Sequence, residues 1–126
     1  MKSFWAAIAI AVLLIGGGIL FNKNIDKVTE EMSQKEEKIT QLIEQESFIG
    51  AEKEIEGLKK YIDDKMIVLA SVVDHKNIDE IELCVSEIEG YTKEKDKTHA
   101  LTKCKKLEHL IGHLPINYSV TLQNIL

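Results

Sequence analysis

The chain opens with eighteen consecutive residues, Phe4 to Phe21, that carry neither a charge nor a strongly polar group. At about 1.5 Å per residue a helix of that length spans about 27 Å, close to the roughly 30 Å hydrocarbon thickness of a bilayer. The pattern predicts a transmembrane anchor over residues 1–22. Trp5 and Phe21 stand near the two ends of the run, where aromatic side chains suit membrane interfaces. From Ile25 the apolar positions step by three and four: Ile25, Val28, Met32, then Lys35, then Ile39 and Leu42. This is a heptad seam with one Lys in it. No helix breaker separates it from the apolar run, so one helix is predicted from the anchor to about Glu46.

Ser47 is placed to cap a second helix. That helix reads Phe48, Ala51, Ile55, Leu58, Ile62, Met66, Leu69 and Val73, a continuous stripe that needs a partner surface. His75, Lys76 and Asn77 interrupt the pattern. A third helix is predicted from about Ile78, with Ile78, Ile81, Val85 and Ile88 on its apolar face, ending near Gly90-Tyr91-Thr92. After a charged turn, Lys93 to Lys97, a fourth helix carries Ala100, Leu101, Cys104, Leu107, Leu110, Ile111 and Leu114. Gly112 and Pro115 stop it. The tail from Ile116 to Leu126 is apolar enough to pack back onto the helices. Short connections make sequential helices antiparallel neighbours. The predicted fold is all-α: a transmembrane helix continuing into an antiparallel bundle of two helical hairpins, with residues 23–126 as one domain.

The run at the N-terminus also fits a cleaved secretory signal, since Lys2 precedes it and Gly16-Gly17-Gly18 offers small residues. It exceeds the usual signal core of about 7–15 residues, which favours an uncleaved anchor. Ala7, Ala11 and Gly18 share a face and allow two anchors to pack as a homodimer. Lys23, Lys27, Lys35 and Lys38 follow the run and argue for a cytoplasmic domain. The short leading tail before a long apolar core argues for a signal-anchor, and an extracytoplasmic domain at the cell membrane is the favoured orientation.

Composition narrows the function. All sixteen basic residues of the 126 are Lys, against twenty-one Asp and Glu, for a net charge of −5. An acidic chain without Arg forks is poorly suited to nucleic acid. Cys84 and Cys104 are the two cysteines. They lie about equally far from the predicted turn at Glu94-Lys95, as a disulfide clamping the second hairpin requires; as small core residues they need no bond. His109 and His113 are spaced i, i+4 and share a helix face, a spacing that can hold a metal. Two histidines near a helix C-terminus equally suit its dipole. No nucleophile elbow, zinc-protease motif or phosphate loop is present in the sequence. No catalytic residue, cofactor or metal ligand is assigned, and a non-enzymatic protein is expected.

The C-terminal half carries a pattern: His75-Lys76-Asn77-Ile78-Asp79-Glu80-Ile81, Tyr91, Lys95-Asp96-Lys97 with Ala100-Leu101, His113-Leu114-Pro115, and Leu122-Gln123-Asn124-Ile125. It resembles the domain-of-unknown-function family 4363, small bacterial proteins with one N-terminal membrane helix. Members often carry a Trp early in the second helix, where this chain has Phe48. The resemblance implies a membrane-tethered helical domain that accompanies a larger membrane protein, and no activity, cofactor or catalytic residue. Within the pattern, His75 and His113 are read as hydrogen-bonding residues that join the hairpin ends. Asp79 is read as an acidic residue in the first turn of the third helix, and Asn124 as a tie between tail and bundle. The expected function is an accessory or adaptor for another membrane protein. The alternative is a ligand- or metal-sensing bundle with a pocket near His75, His109 and His113.

Overall fold

The structure, a computed structural model, describes residues 2–116. They form five helices: α1 (Lys2–Glu44), α2 (Phe48–Asp64), α3 (Met66–Val72), α4 (His75–Lys93) and α5 (Lys97–Gly112). The all-α expectation holds, and α1 runs unbroken from the apolar segment into the bundle as the missing breakers predicted. Its apolar stretch is long and apolar enough to cross a membrane, and its large side chains, from Phe4 to Leu20, stand exposed.

Past that stretch α1 is buried along one seam, Ile25, Val28, Met32, Glu36, Ile39 and Ile43. The sequence reading placed Lys35 and Leu42 in the seam. The helix instead turns one residue further, which buries Glu36 and Ile43 and leaves Leu42 and Lys35 half-buried. Two successive steps of four, from Val28 to Met32 to Glu36, account for the shift. They keep the seam on one side of a helix with 3.6 residues per turn.

The α2 stripe is buried as predicted at Ala51, Ile55, Leu58 and Ile62, and continues into Leu69, Val72 and Val73. It is not one helix. Lys65, at φ −101° and ψ 7°, separates α2 from α3. Asp63 and Asp64 stand at the C-terminal end of α2, where acidic charge opposes the helix dipole and Asp is a poor helix former. Helix α4 begins at His75, three residues before the predicted start, and passes through Gly90 to Lys93. The four long helices pack in a ring: α1 between α2 and α5, and α4 between α2 and α5. Ion pairs cross three of these interfaces, Lys38–Glu54 (3.2 Å), Lys59–Glu89 (2.9 Å) and Lys103–Glu87 (2.8 Å). Ion pairs at the surface, partly exposed as these are, contribute about 0–1 kcal/mol each, so the apolar seams, not the charges, hold the ring.

Both hairpins turn by the same device. After α1, the Ser47 N–H donates to the Leu42 carbonyl (2.8 Å) and the Glu46 N–H to the Ile43 carbonyl (2.9 Å). After α4, the Asp96 N–H donates to the Tyr91 carbonyl (2.9 Å) and the Lys95 N–H to the Thr92 carbonyl (3.0 Å). This is the Schellman closure, which places one residue in the left-handed region, usually Gly. Here those residues are Glu46 (φ 60°) and Lys95 (φ 57°). Ser47 stands before α2 without a side-chain capping bond, whereas Asp96 caps α5 by accepting from the His99 N–H at 3.2 Å.

Of the tail, Ile116 is described. It forms an isolated antiparallel bridge with Val73, at the end of the ring nearer the apolar segment of α1. The remaining tail residues, Asn124 among them, lie outside the described residues.

A left-handed conformation costs a residue with a Cβ about 1–2 kcal/mol, and Gly has its own entropic cost of about 0.5–1 kcal/mol. Lys95→Gly and Glu46→Gly are each expected to raise unfolding stability by about 0.5–1 kcal/mol, read as a higher denaturant midpoint. A lower midpoint for both would show that these turns are not held as described.

Candidate functional site

The interior of the ring is apolar with two exceptions among the buried residues described, Glu36 and Thr92. Thr92 is satisfied within its own helix, donating to the Ile88 carbonyl at 2.6 Å. Glu36 is the more consequential residue. It is 5% exposed, on the seam of α1 facing α5. The Thr40 hydroxyl lies 2.7 Å from its Oε1 and 3.1 Å from its backbone carbonyl. Burial pushes the Glu36 carboxyl above the usual range; the Thr40 contact opposes this, and the Glu108 and Glu37 charges add to it. No cation pairs with it among the described ion pairs. Burial of a carboxyl without a cation partner disfavours its charged form, so its proton is held to higher pH than on a solvated Glu.

Both cysteines pack beside this group. Cys84 on α4 and Cys104 on α5 are on facing helices, as the spacing predicted, but each is a free, buried thiol. The Cys84 thiol donates to the Lys103 carbonyl at 3.3 Å instead of meeting Cys104. Of the two readings of this pair, the structure has the thiols unbonded, filling the core as small hydrophobes do. Burial raises the pKa of both, that of Cys104 to about 11. Such thiols are protonated and poor nucleophiles at neutral pH.

The histidines lie elsewhere. His109 and His113 stack at 4.2 Å between ring centroids and 28° between planes, exposed at the end of α5. The His113 Nδ1 lies 3.2 Å from the His109 carbonyl, so the pair closes the helix end. His75 is the first residue of α4, and its Nε2 lies 3.7 Å from Asp79 Oδ1 one turn on, with both side chains largely exposed. Among the described residues, the polar contacts of His75 and His113 fall within their own helices. Because α4 starts early, Asp79 sits past the first turn, not in it. A hollow of about 110 Å³ lies between Asn77, His109, His113 and Pro115. His75 lines a different, open depression with Val73, Asn77 and Pro115. The first is below the roughly 300–1,000 Å³ of a ligand pocket, and the three histidines do not share an enclosed site. No group of three or more His, Cys, Asp or Glu placed to hold a metal ion is found among the described residues.

Tyr91 is half-buried and stacks on His99 at 5.1 Å. His99 itself contacts Asp96 through Nδ1 at 2.8 Å. The sequence reading passed over His99; its spacing three residues after a capping Asp is the signal that identifies it. Tyr61 is a second residue that it passed over. Its ring receives the ammonium groups of Lys35 (5.2 Å) and Lys65 (5.8 Å). Its hydroxyl is buried without a well-formed hydrogen bond among the described residues. Burial, then the nearby Glu31 carboxylate, push its pKa up. This explains how Lys35 remains beside the seam: its stem lies along α2 and its charge rests on an aromatic face.

A family model described as a domain of unknown function (DUF4363) matches residues 19–125. The chain matches no curated protein and no solved structure. The matched span takes in the end of the apolar segment, the whole ring and the tail.

The neutral state of Glu36 has a pH signature. In an unfolded chain Glu titrates near its ordinary value of about 4.3, and in the folded chain burial keeps the proton on to higher pH. The folded state therefore binds more protons in that window, and stability falls as pH rises through it. Glu36→Gln keeps the shape and removes the ionisation. Its denaturant midpoint is expected to exceed that of the parent at neutral pH, with the difference shrinking as pH falls toward the ordinary Glu value. A parent at least as stable as the variant at neutral pH would contradict the assignment.

Proposed function

The chain belongs to the DUF4363 family, and we propose that it is a membrane-anchored, non-catalytic helical domain that serves another membrane protein as an accessory or adaptor. The observation that carries this reading is α1: its exposed apolar stretch continues without a break into a seam buried inside the ring. A tether that is itself a core helix holds the domain at a set height and orientation above the bilayer. That arrangement suits presentation of a surface to a membrane neighbour.

The interior supports the same reading. The buried polar group, Glu36 with Thr40, Cys104 and Cys84, offers a carboxyl and two free thiols shielded from solvent, which is a packing arrangement. The outer surface offers the contact residues. Ile49 is 84% exposed at the far end of the ring, and Leu83 is 61% exposed on α4. The favoured orientation puts this surface outside the cytoplasm at the cell membrane.

The anchor and the partner are tested separately. The chain is expected to stay with membranes through alkaline carbonate washing; release into the wash would overturn the anchor. Photo-crosslinkers placed at Ile49 and Leu83 in cells are expected to yield the same membrane-protein adduct in repeated captures. Retention in the membrane without any reproducible adduct would leave an anchored domain and remove the adaptor role.

A further inference from the structure

The registers between helices locate the base of the ring relative to the apolar segment. The Lys38–Glu54 pair and the closeness of Gly50 to Leu42 set the register of α2 against α1. Helix α2 runs antiparallel to α1, so Met66 is level with about residue 26 of α1. Cys104 of α5 lies against Thr40, and Glu108 is near enough to Glu36 to raise its pKa. By the same counting Ile116 is level with about residue 28. Since Val73 bridges Ile116, the seven residues of α3 begin and end at nearly the same height. Helix α3, about 10 Å long, lies across the base instead of continuing the line of α2.

Its sides are sorted accordingly. Leu69 and Val72 are buried against the ring. Ile67 is 88% exposed, higher than any other large apolar residue described, and Ala70, Ser71 and the following Asp74 are exposed on the same side. On a helical projection Ile67 sits at the centre of the face opposite Leu69 and Val72. That face is turned away from the ring and toward the end of α1 that carries the apolar segment.

The apolar run ends at Phe21, about seven residues or about 10 Å below the axis of α3. A helix has a radius of about 5–6 Å with side chains, so the underside of α3 comes within about 5 Å of the hydrocarbon edge. The headgroup layer is about 5–7 Å thick on each side. We propose that α3 is a second membrane contact: its underside rests in the phospholipid headgroup layer that surrounds the anchor, with Ile67 inserted among the headgroups. Lys23 is exposed on α1 below this level and Lys27 at it, and both meet lipid phosphates there. The ring then sits directly on the bilayer, held by two elements instead of one. The inference rests on the anchor reading above.

The test uses the full chain in phosphatidylcholine nanodiscs that carry a nitroxide on the headgroup. The parent has one Trp, Trp5, which reports the anchor. Two single-Trp variants report the ring: Trp5→Phe with Ile67→Trp at the base, and Trp5→Phe with Ile49→Trp at the far end. Both ring sites are exposed, so neither substitution disturbs the core. The expected result is a loss of emission for Ile67→Trp approaching that of Trp5 in the parent, with no loss for Ile49→Trp. Equal, weak quenching of both ring variants while Trp5 is quenched would overturn the α3 contact alone. No quenching of Trp5 would overturn the anchor reading. Protection of Ile67→Trp from both the lipid nitroxide and aqueous iodide would show that protein covers this face, either a second copy or residues 117–126, and would also overturn the proposal.

Discussion

One backbone ladder runs from Lys2 to Glu44, and the rest of the molecule is arranged around it. An α-helix changes direction at a break, a kink residue or an inserted group; α1 is unbroken from Lys2 to Glu44, and its run of glycines, Gly16-Gly17-Gly18, lies inside the apolar segment, before the junction with the ring. Its two halves face different surroundings. The first exposes large apolar side chains on all sides; the second buries one stripe between α2 and α5. A helix apolar all round and a helix apolar along one stripe are distinct solutions to burial. Their fusion makes the position of the ring a property of the helix itself.

The two hairpins follow from that stripe. The seam of α1 is shared by two neighbours: α2 and α5 flank it, and α4 closes the ring on the far side. The identical Schellman turns at Glu46 and Lys95 set the short connections this requires. Helix α3 is the exception. It joins one hairpin to the other and crosses the base, where Val73 meets Ile116. Within the ring, Glu36 breaks an otherwise apolar seam. Its burial costs stability at neutral pH, and the hydroxyl beside it comes from Thr40, one turn on in the same helix.

Much of this was legible in the residues. The helix inventory, the continuity of α1, the buried stripe of α2 and the facing positions of Cys84 and Cys104 all follow from spacing. The phase of the α1 seam did not. Lys35 and Glu36 are adjacent charges, and heptad counting from Ile25 selects the Lys; only packing against Tyr61 and Thr40 shows that the Lys leans out and the Glu turns in. The break at Lys65 was hidden because the stripe from Ile62 to Met66 to Leu69 keeps helical spacing across it. The turns at Glu46 and Lys95 lacked the Gly that usually marks them. The site expectations fared less well for a related reason. Spacing puts His109 and His113 on one face, but whether His75 joins them depends on the packing of α3 and α4, which spacing does not report.

The account stands most directly on the rigidity of α1 across the junction at Phe21-Asn22. It can be measured as a spin-label distance between Ile10→Cys and Gln34→Cys in the full chain in nanodiscs, with Cys84 and Cys104 replaced by Ala. Both labelled positions are exposed. A continuous helix predicts one narrow distribution near about 36 Å. A broad distribution, or one centred well below that length, would mean that the apolar segment and the ring are joined by a hinge, and would contradict the account.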